Sequence, residues 1–180
     1  MEFVQPIRDK KQIDEMKKVL RKQSLRDWFL FVLGINTGLR VSDELTLKVK
    51  HVRNQTHITI KESKTDKDKR FKINGTLREC IDEYIEGMDD EAWLFPSRKG
   101  DKPISRVQAY RILNAAAEKV GVEEIGTHTM RKTFGYHHYK QNKDVAMLQK
   151  LFNHSAPSVT LRYIGIEQDE MDASIEDFSL

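Results

Sequence analysis

Six side chains of the kinds that handle phosphate are spread over four stretches of this 180-residue chain. TGLRVSDEL at 37–45 holds Arg40, and SKTDKDKR at 63–70 holds Lys64. THTMR at 127–131 holds His128 and Arg131, and FNHSAPSVTLRY at 152–163 holds His154 and Tyr163. Any one of these has an ordinary explanation: a tyrosine packs its ring and hydrogen-bonds its hydroxyl, and an arginine ends a helix. Together they suit phosphodiester chemistry. A tyrosine oxygen can attack phosphorus and form a covalent ester, provided that the departing sugar oxygen receives a proton. Guanidinium forks bind the non-bridging oxygens of the phosphorane bidentately as its charge develops. A lysine at a hairpin tip can supply the proton.

Such groups need a scaffold, and the chain spells out a helical one. Apolar spacing at Ile13, Met16 and Leu20 predicts a first amphipathic helix, and Ser24 with Asp27 opens a second, nearly all-apolar one that stops at Gly38. A short helix follows Ser42. HITIK and RFKIN alternate with period two and predict a small antiparallel sheet with a charged hairpin. Thr76 with Glu79 and Ser105 with Gln108 read as further helix starts, and Gly121 ends RVQAYRILNAAAEKV. GTHTMRKTFGYHHYKQ, DVAMLQKLF, PSVTLRY and the tail are helical, while PSRKGDKP at 96–103 is a surface turn. The expected fold class is mainly α with a small antiparallel β-sheet, an α+β arrangement.

Composition narrows the function classes. The chain is long enough to bury a core without staples, and its one cysteine, Cys80, forms no internal disulfide. With a charged N-terminus in place of a secretory apolar run, this predicts a reducing, cytoplasmic setting. WFLFVLGI at 28–35 is too short to span a bilayer, so no membrane role is expected. Glu167 to Leu180 holds six acids and no lysine or arginine, which leaves residues 1–166 with 31 basic and 22 acidic groups, a formal +9. A basic body with an acidic tail favours a polyanionic partner. His137 and His138 are adjacent and point to different faces of a helix, so no metal site is expected. Ser155 beside His154 lacks the G-x-S-x-G elbow of a hydrolase.

The four stretches, in their order and spacing, resemble the catalytic domain of tyrosine recombinases, the phage integrase family. TGLRVSDEL is similar to the family's TGLR-x-S-E, which implies Arg40 as the first catalytic arginine and Asp43 as the supporting acid, with Glu44 next door as the alternative. Lys64 matches the hairpin lysine, in a run that also holds Lys61, Lys67 and Lys69. HTMR matches H-x-x-R, giving His128 and Arg131, and FNHSAPSVTLRY matches L-G-H…Y, giving His154 and the nucleophile Tyr163, with Asn153 in place of the usual glycine. The resemblance implies the DNA breaking-rejoining fold and site-specific recombination of double-stranded DNA. Tyr163 would join to a 3′-phosphate and release a 5′-hydroxyl. No metal or nucleotide cofactor is implied, because the phosphotyrosine keeps the bond energy for rejoining. Residues 1–166 form the expected catalytic domain, without the N-terminal core-binding domain usual in the family. Residues 167–180 form an acidic helical tail, docking in cis or in trans and thereby a route to self-association on DNA. The alternatives are a non-catalytic DNA-binding modulator of recombination sites and a type IB topoisomerase-like activity.

Overall fold

The computed structural model describes residues 4–62 and 64–180, and its axis is the helix α2 (Leu25–Thr37). Every residue from Trp28 to Leu33 is buried, as a helix apolar on all sides requires. Around it pack α1 (Lys10–Gln23), α4 (Gly75–Ile85) and α6 (Thr129–Asn142). Ile13, Met16 and Leu20 are the buried residues of α1, on the face that the apolar spacing predicts. Ser24 caps α2 by accepting from the Asp27 amide at 3.2 Å. The reciprocal half of the expected box is missing, because the Ser24 amide donates instead to the Leu20 carbonyl and the Asp27 carboxylate takes Gln23 and Arg26.

The chain from α2 to α4 builds one wall of the site. Gly38 ends α2 in the left-handed region, and the short helix α3 (Val41–Glu44) begins two residues before the expected start after Ser42. β1 (His57–Lys61) and β2 (Asp68–Lys72) pair antiparallel, with Ile58 opposite Phe71 and Ile60 opposite Lys69. The second strand begins before the expected RFKIN, and Asn74 leaves the sheet to cap α4. Asn74 rather than Thr76 starts that helix because its side-chain oxygen accepts from the Leu77 amide at 2.8 Å.

The other wall comes from the C-terminal third. Ser105 caps α5 (Arg106–Val120), which ends at Gly121 as expected. α7 (Val145–Phe152), α8 (Pro157–Tyr163) and α9 (Ile166–Glu176) follow α6. Their own small core consists of Tyr136, Leu148, Phe152, Ile164 and Ile166, separate from the main core around α2. Of the tail, Ile166 is buried, whereas Met171, Ile175 and Phe178 are 46 %, 66 % and 68 % exposed. No helix among the described residues is long and apolar enough to cross a membrane.

Candidate active site

Arg131 is fixed on three sides by the fold. Gly38 adopts φ 68°, and a Cβ there would lie 2.4 Å from Phe134 Cδ1, so both backbone and space demand glycine. The Gly38 carbonyl accepts from Arg131 Nη1 at 2.7 Å, and the Phe152 carbonyl accepts from Nη2 at 3.1 Å. The Phe152 ring centroid lies 4.3 Å from the guanidinium carbon. Arg40 sits two residues past Gly38, extended (φ −65°, ψ 142°), at the mouth of α3. Its Nη1 lies 3.1 Å from Glu62 Oε2. That buried nitrogen has no aligned hydrogen bond, so the attraction is ionic.

Tyr163 is the last residue of α8, and its half-buried ring stands among aromatic edges. Phe152 and His154 meet it edge-on at centroid distances of 5.6 and 5.1 Å. Its hydroxyl lies 3.1 Å from His128 Nδ1. Burial pushes the phenol pKa up, against the pull of Arg131 and Arg40, so the hydroxyl carries its proton at neutral pH. Burial, then Lys132, Arg131, Arg40 and Lys64, hold His128 below its ordinary range. His154 is pushed down to about 4 by burial, helped by Arg131, Arg40 and Lys69. His154 Nδ1 lies 2.9 Å from Thr160 Oγ1. Asn153 ends α7 at φ 62°, ψ 34°. The turn before His154 therefore keeps a left-handed residue where glycine was expected, and asparagine is the next best residue to occupy it.

Arg40, Lys64, Arg106, His128 and Arg131 line one cavity of about 320 Å³. Tyr163 lines the neighbouring groove and reaches this cavity through the His128 contact. Of the hairpin lysines, Lys64 is in the cavity lining, Lys61 pairs with Asp66 at 3.3 Å, and Lys69 turns inward to Glu62 at 3.3 Å. Asp43 and Glu44 are both buried, and neither lines the cavity. Glu62 and Arg106 are not anticipated from the sequence, and Lys69 enters there only as a competitor of Lys64. For Glu62 and Lys69 the signal was present: Ile58, Ile60 and Glu62 share one face of the hairpin, as do Phe71 and Lys69. His137, which carried no metal expectation, places Nε2 2.9 Å from the Ile7 carbonyl.

The profile described as "Phage integrase family" matches residues 8–170. The chain is 51 % identical over 178 residues to the Probable integrase/recombinase YoeC of Bacillus subtilis (strain 168), covering 99 % of this chain and 98 % of that protein. It is 27 % identical to the Tyrosine recombinase XerA of Pyrococcus furiosus, covering 92 % of this chain but 59 % of that longer protein. A crystal structure of a lambda integrase(75-356) dimer bound to a COC′ core site superposes with a TM-score of 0.73 at 16 % identity, over 91 % of this chain and 60 % of that one. At that identity the likeness concerns the fold.

Proposed function

The chain belongs to the phage integrase family, and from that premise we propose that it recombines double-stranded DNA at specific sites with Tyr163 as nucleophile. The observation that carries this reading is the Tyr163 hydroxyl 3.1 Å from an imidazole, beside a cavity walled by Arg40, Lys64 and Arg131. His128, neutral because its pKa is depressed, takes the phenolic proton as the oxygen attacks phosphorus. The bond from phosphorus to the 5′-oxygen breaks, Lys64 protonates that oxygen, and the 3′-phosphate remains on Tyr163. Arg40 and Arg131 neutralise the charge that builds on the non-bridging oxygens. His154, also neutral, adds a hydrogen bond from Nε2 in the tautomer whose Nδ1 accepts from Thr160. Asp43, buried in α3 with its backbone amide donating to the Arg40 carbonyl at 2.9 Å, is the supporting acid. Reversal of the steps against a partner 5′-hydroxyl rejoins the strands.

Self-association on DNA through the tail belongs to the same proposal. Its support is a set of uncovered apolar side chains: Met171 and Ile175 on a helix that begins three residues after Tyr163, and Phe178 just past that helix's end at Glu176, so that Phe178 does not extend the helical row.

A nicked suicide duplex, whose short 5′ fragment diffuses away after cleavage, tests the nucleophile. Parent protein should accumulate a covalent DNA adduct mapping to Tyr163, and Tyr163→Phe should bind the same duplex without forming any. Equal adduct from both proteins, or an adduct on another residue, would refute the assignment.

A further inference from the structure

Glu62 lies one residue past β1 and continues its inward alternation, so that Ile58, Ile60 and Glu62 are 0 %, 7 % and 1 % exposed. A carboxylate in an apolar place is costly unless it is paired. Here it is paired three times: Oε2 lies 3.1 Å from Arg40 Nη1 and accepts from Thr65 Oγ1 at 2.8 Å, while Oε1 lies 3.3 Å from Lys69 Nζ. Lys69 also donates to the carbonyls of Lys150, at 3.2 Å, and Leu151. Those carbonyls end α7, just before the Asn153 turn that presents His154. The backbone of Glu62 closes the hairpin tip, donating to the Lys67 carbonyl at 2.9 Å and accepting from the Asp66 amide at 2.8 Å. A single side chain thus touches Arg40 directly, the Lys64 turn through Thr65, and the His154 turn through Lys69. Burial by itself would push the Glu62 carboxyl up, but Thr65, Lys69 and Arg40 outweigh it and hold it below its ordinary range.

We infer that Glu62 is a positioning residue for strand cleavage: it ties back Arg40 Nη1, so that the rest of the guanidinium faces the scissile phosphate, and supplies the counter-charge that lets Arg40 and Lys69 share one buried seat. The inference rests on the recombinase reading of the site. Without the carboxylate, two neighbouring cations repel each other in a poorly hydrated place, and Arg40 leaves its aim before DNA arrives.

Glu62→Gln keeps the shape and the acceptor for Thr65 but removes the charge. Single-turnover adduct formation on ordinary DNA should slow about tenfold or more, the scale of a misplaced catalytic group, with DNA affinity within about twofold of parent. A duplex with methylphosphonate at the scissile position separates positioning from general loosening, because its neutral phosphorus centre makes less demand on Arg40. The penalties of Glu62→Gln and Arg40→Ala should both shrink to about threefold or less there, whereas a loosened fold would be slow on both substrates. Should Glu62→Gln not fold, Glu62→Asp keeps the charge with a shorter reach, and it should show the same substrate dependence at smaller amplitude. The second readout needs no activity: the Arg40 Nε–Hε NMR signal, identified by its loss in Arg40→Ala, should broaden or shift in the Glu62 variant. Equal penalties on both substrates, or an unmoved Arg40 signal, would overturn the inference. If the parent forms no adduct, the recombinase reading fails alone, and the Arg40 signal still decides whether Glu62 holds it.

Discussion

Asp43 and Glu44 are chemically alike and adjacent, but a helical step of about 100° sends their carboxylates in different directions. Both are buried; Glu44 is 0 % exposed, and neither of its oxygens has a hydrogen-bond partner among the described residues. Burial pushes its pKa well above the ordinary carboxylate value of 4.5, so the fold favours its neutral form. Once the pH exceeds 4.5 the unfolded chain releases this proton while the native state keeps it. Stability should therefore fall as pH rises towards the native pKa, by at most about 1.4 kcal/mol per pH unit. Well below pH 4.5 the carboxyl is protonated in both states and the penalty vanishes. Glu44→Met should remove this dependence. In urea titrations its advantage over the parent should be larger at pH 7.5 than at pH 5, and an equal advantage would mean that Glu44 is charged in the fold. The same variant bears on the supporting acid: if Asp43 has that role, Glu44→Met should cleave DNA at near the parental rate. Residue types in TGLR, HTMR and the Tyr163 stretch were legible because they are few and their chemistry is distinctive. Glu62 was not, and Lys69 was legible only as one of four hairpin lysines, because a charged hairpin reads as solvated until strand alternation is followed through its last inward positions.

Elements were legible wherever apolar spacing and a single capping residue agreed. α1, α5 and the end of α2 follow Ile13, Met16 and Leu20, then Ser105, then Gly38, close to expectation. Boundaries slipped where two residues competed, as Asn74 and Thr76 did for α4, and the decision fell to side-chain geometry that sequence does not contain. The turn between α7 and α8 is the element on which the site depends most. It carries His154, and through the Phe152 carbonyl it also holds Arg131. Asn153 occupies its left-handed position, which costs a residue with a Cβ about 1–2 kcal/mol and costs glycine nearly nothing. Asn153→Gly should therefore leave cleavage intact and keep or slightly raise stability. Asn153→Val puts a β-branched side chain at positive φ and should lower stability by about 1–2 kcal/mol or more, with cleavage falling as His154 and the Phe152 carbonyl shift. Thermal unfolding and single-turnover adduct yield on the two variants check both halves. Unchanged cleavage by Asn153→Val would mean that this turn does not position the site.

At the scale of the whole molecule, charge and apolar surface are divided between body and tail. The basic body suits a polyanion, and six tail carboxylates are repelled by the same polyanion. The tail is nevertheless docked at its root. Ile166 is buried, Arg8 pairs with Asp169 at 2.9 Å, and Arg8 Nη2 donates to the Gly165 carbonyl at 3.3 Å. Beyond that root Met171, Ile175 and Phe178 stay exposed within the single chain, so their removal costs little folding energy. If these side chains instead seat on a neighbouring protomer on DNA, their removal costs assembly. Replacing all three with serine should leave the unfolding midpoint within a few degrees of parent, since uncovered positions contribute only about ±0.5 kcal/mol each. On a duplex long enough for two protomers, the triple variant should sediment as a one-protomer complex under conditions where the parent forms a larger one. Because α9 starts three residues after Tyr163, a docked tail also constrains where the hydroxyl points. Mixing the triple variant with full-length Tyr163→Phe then separates cis from trans: intact tails on the inactive partner should restore adduct on the active Tyr163 of the variant. Restoration requires a tail acting across protomers. A triple variant that assembles and cleaves as the parent does would remove the tail from both roles.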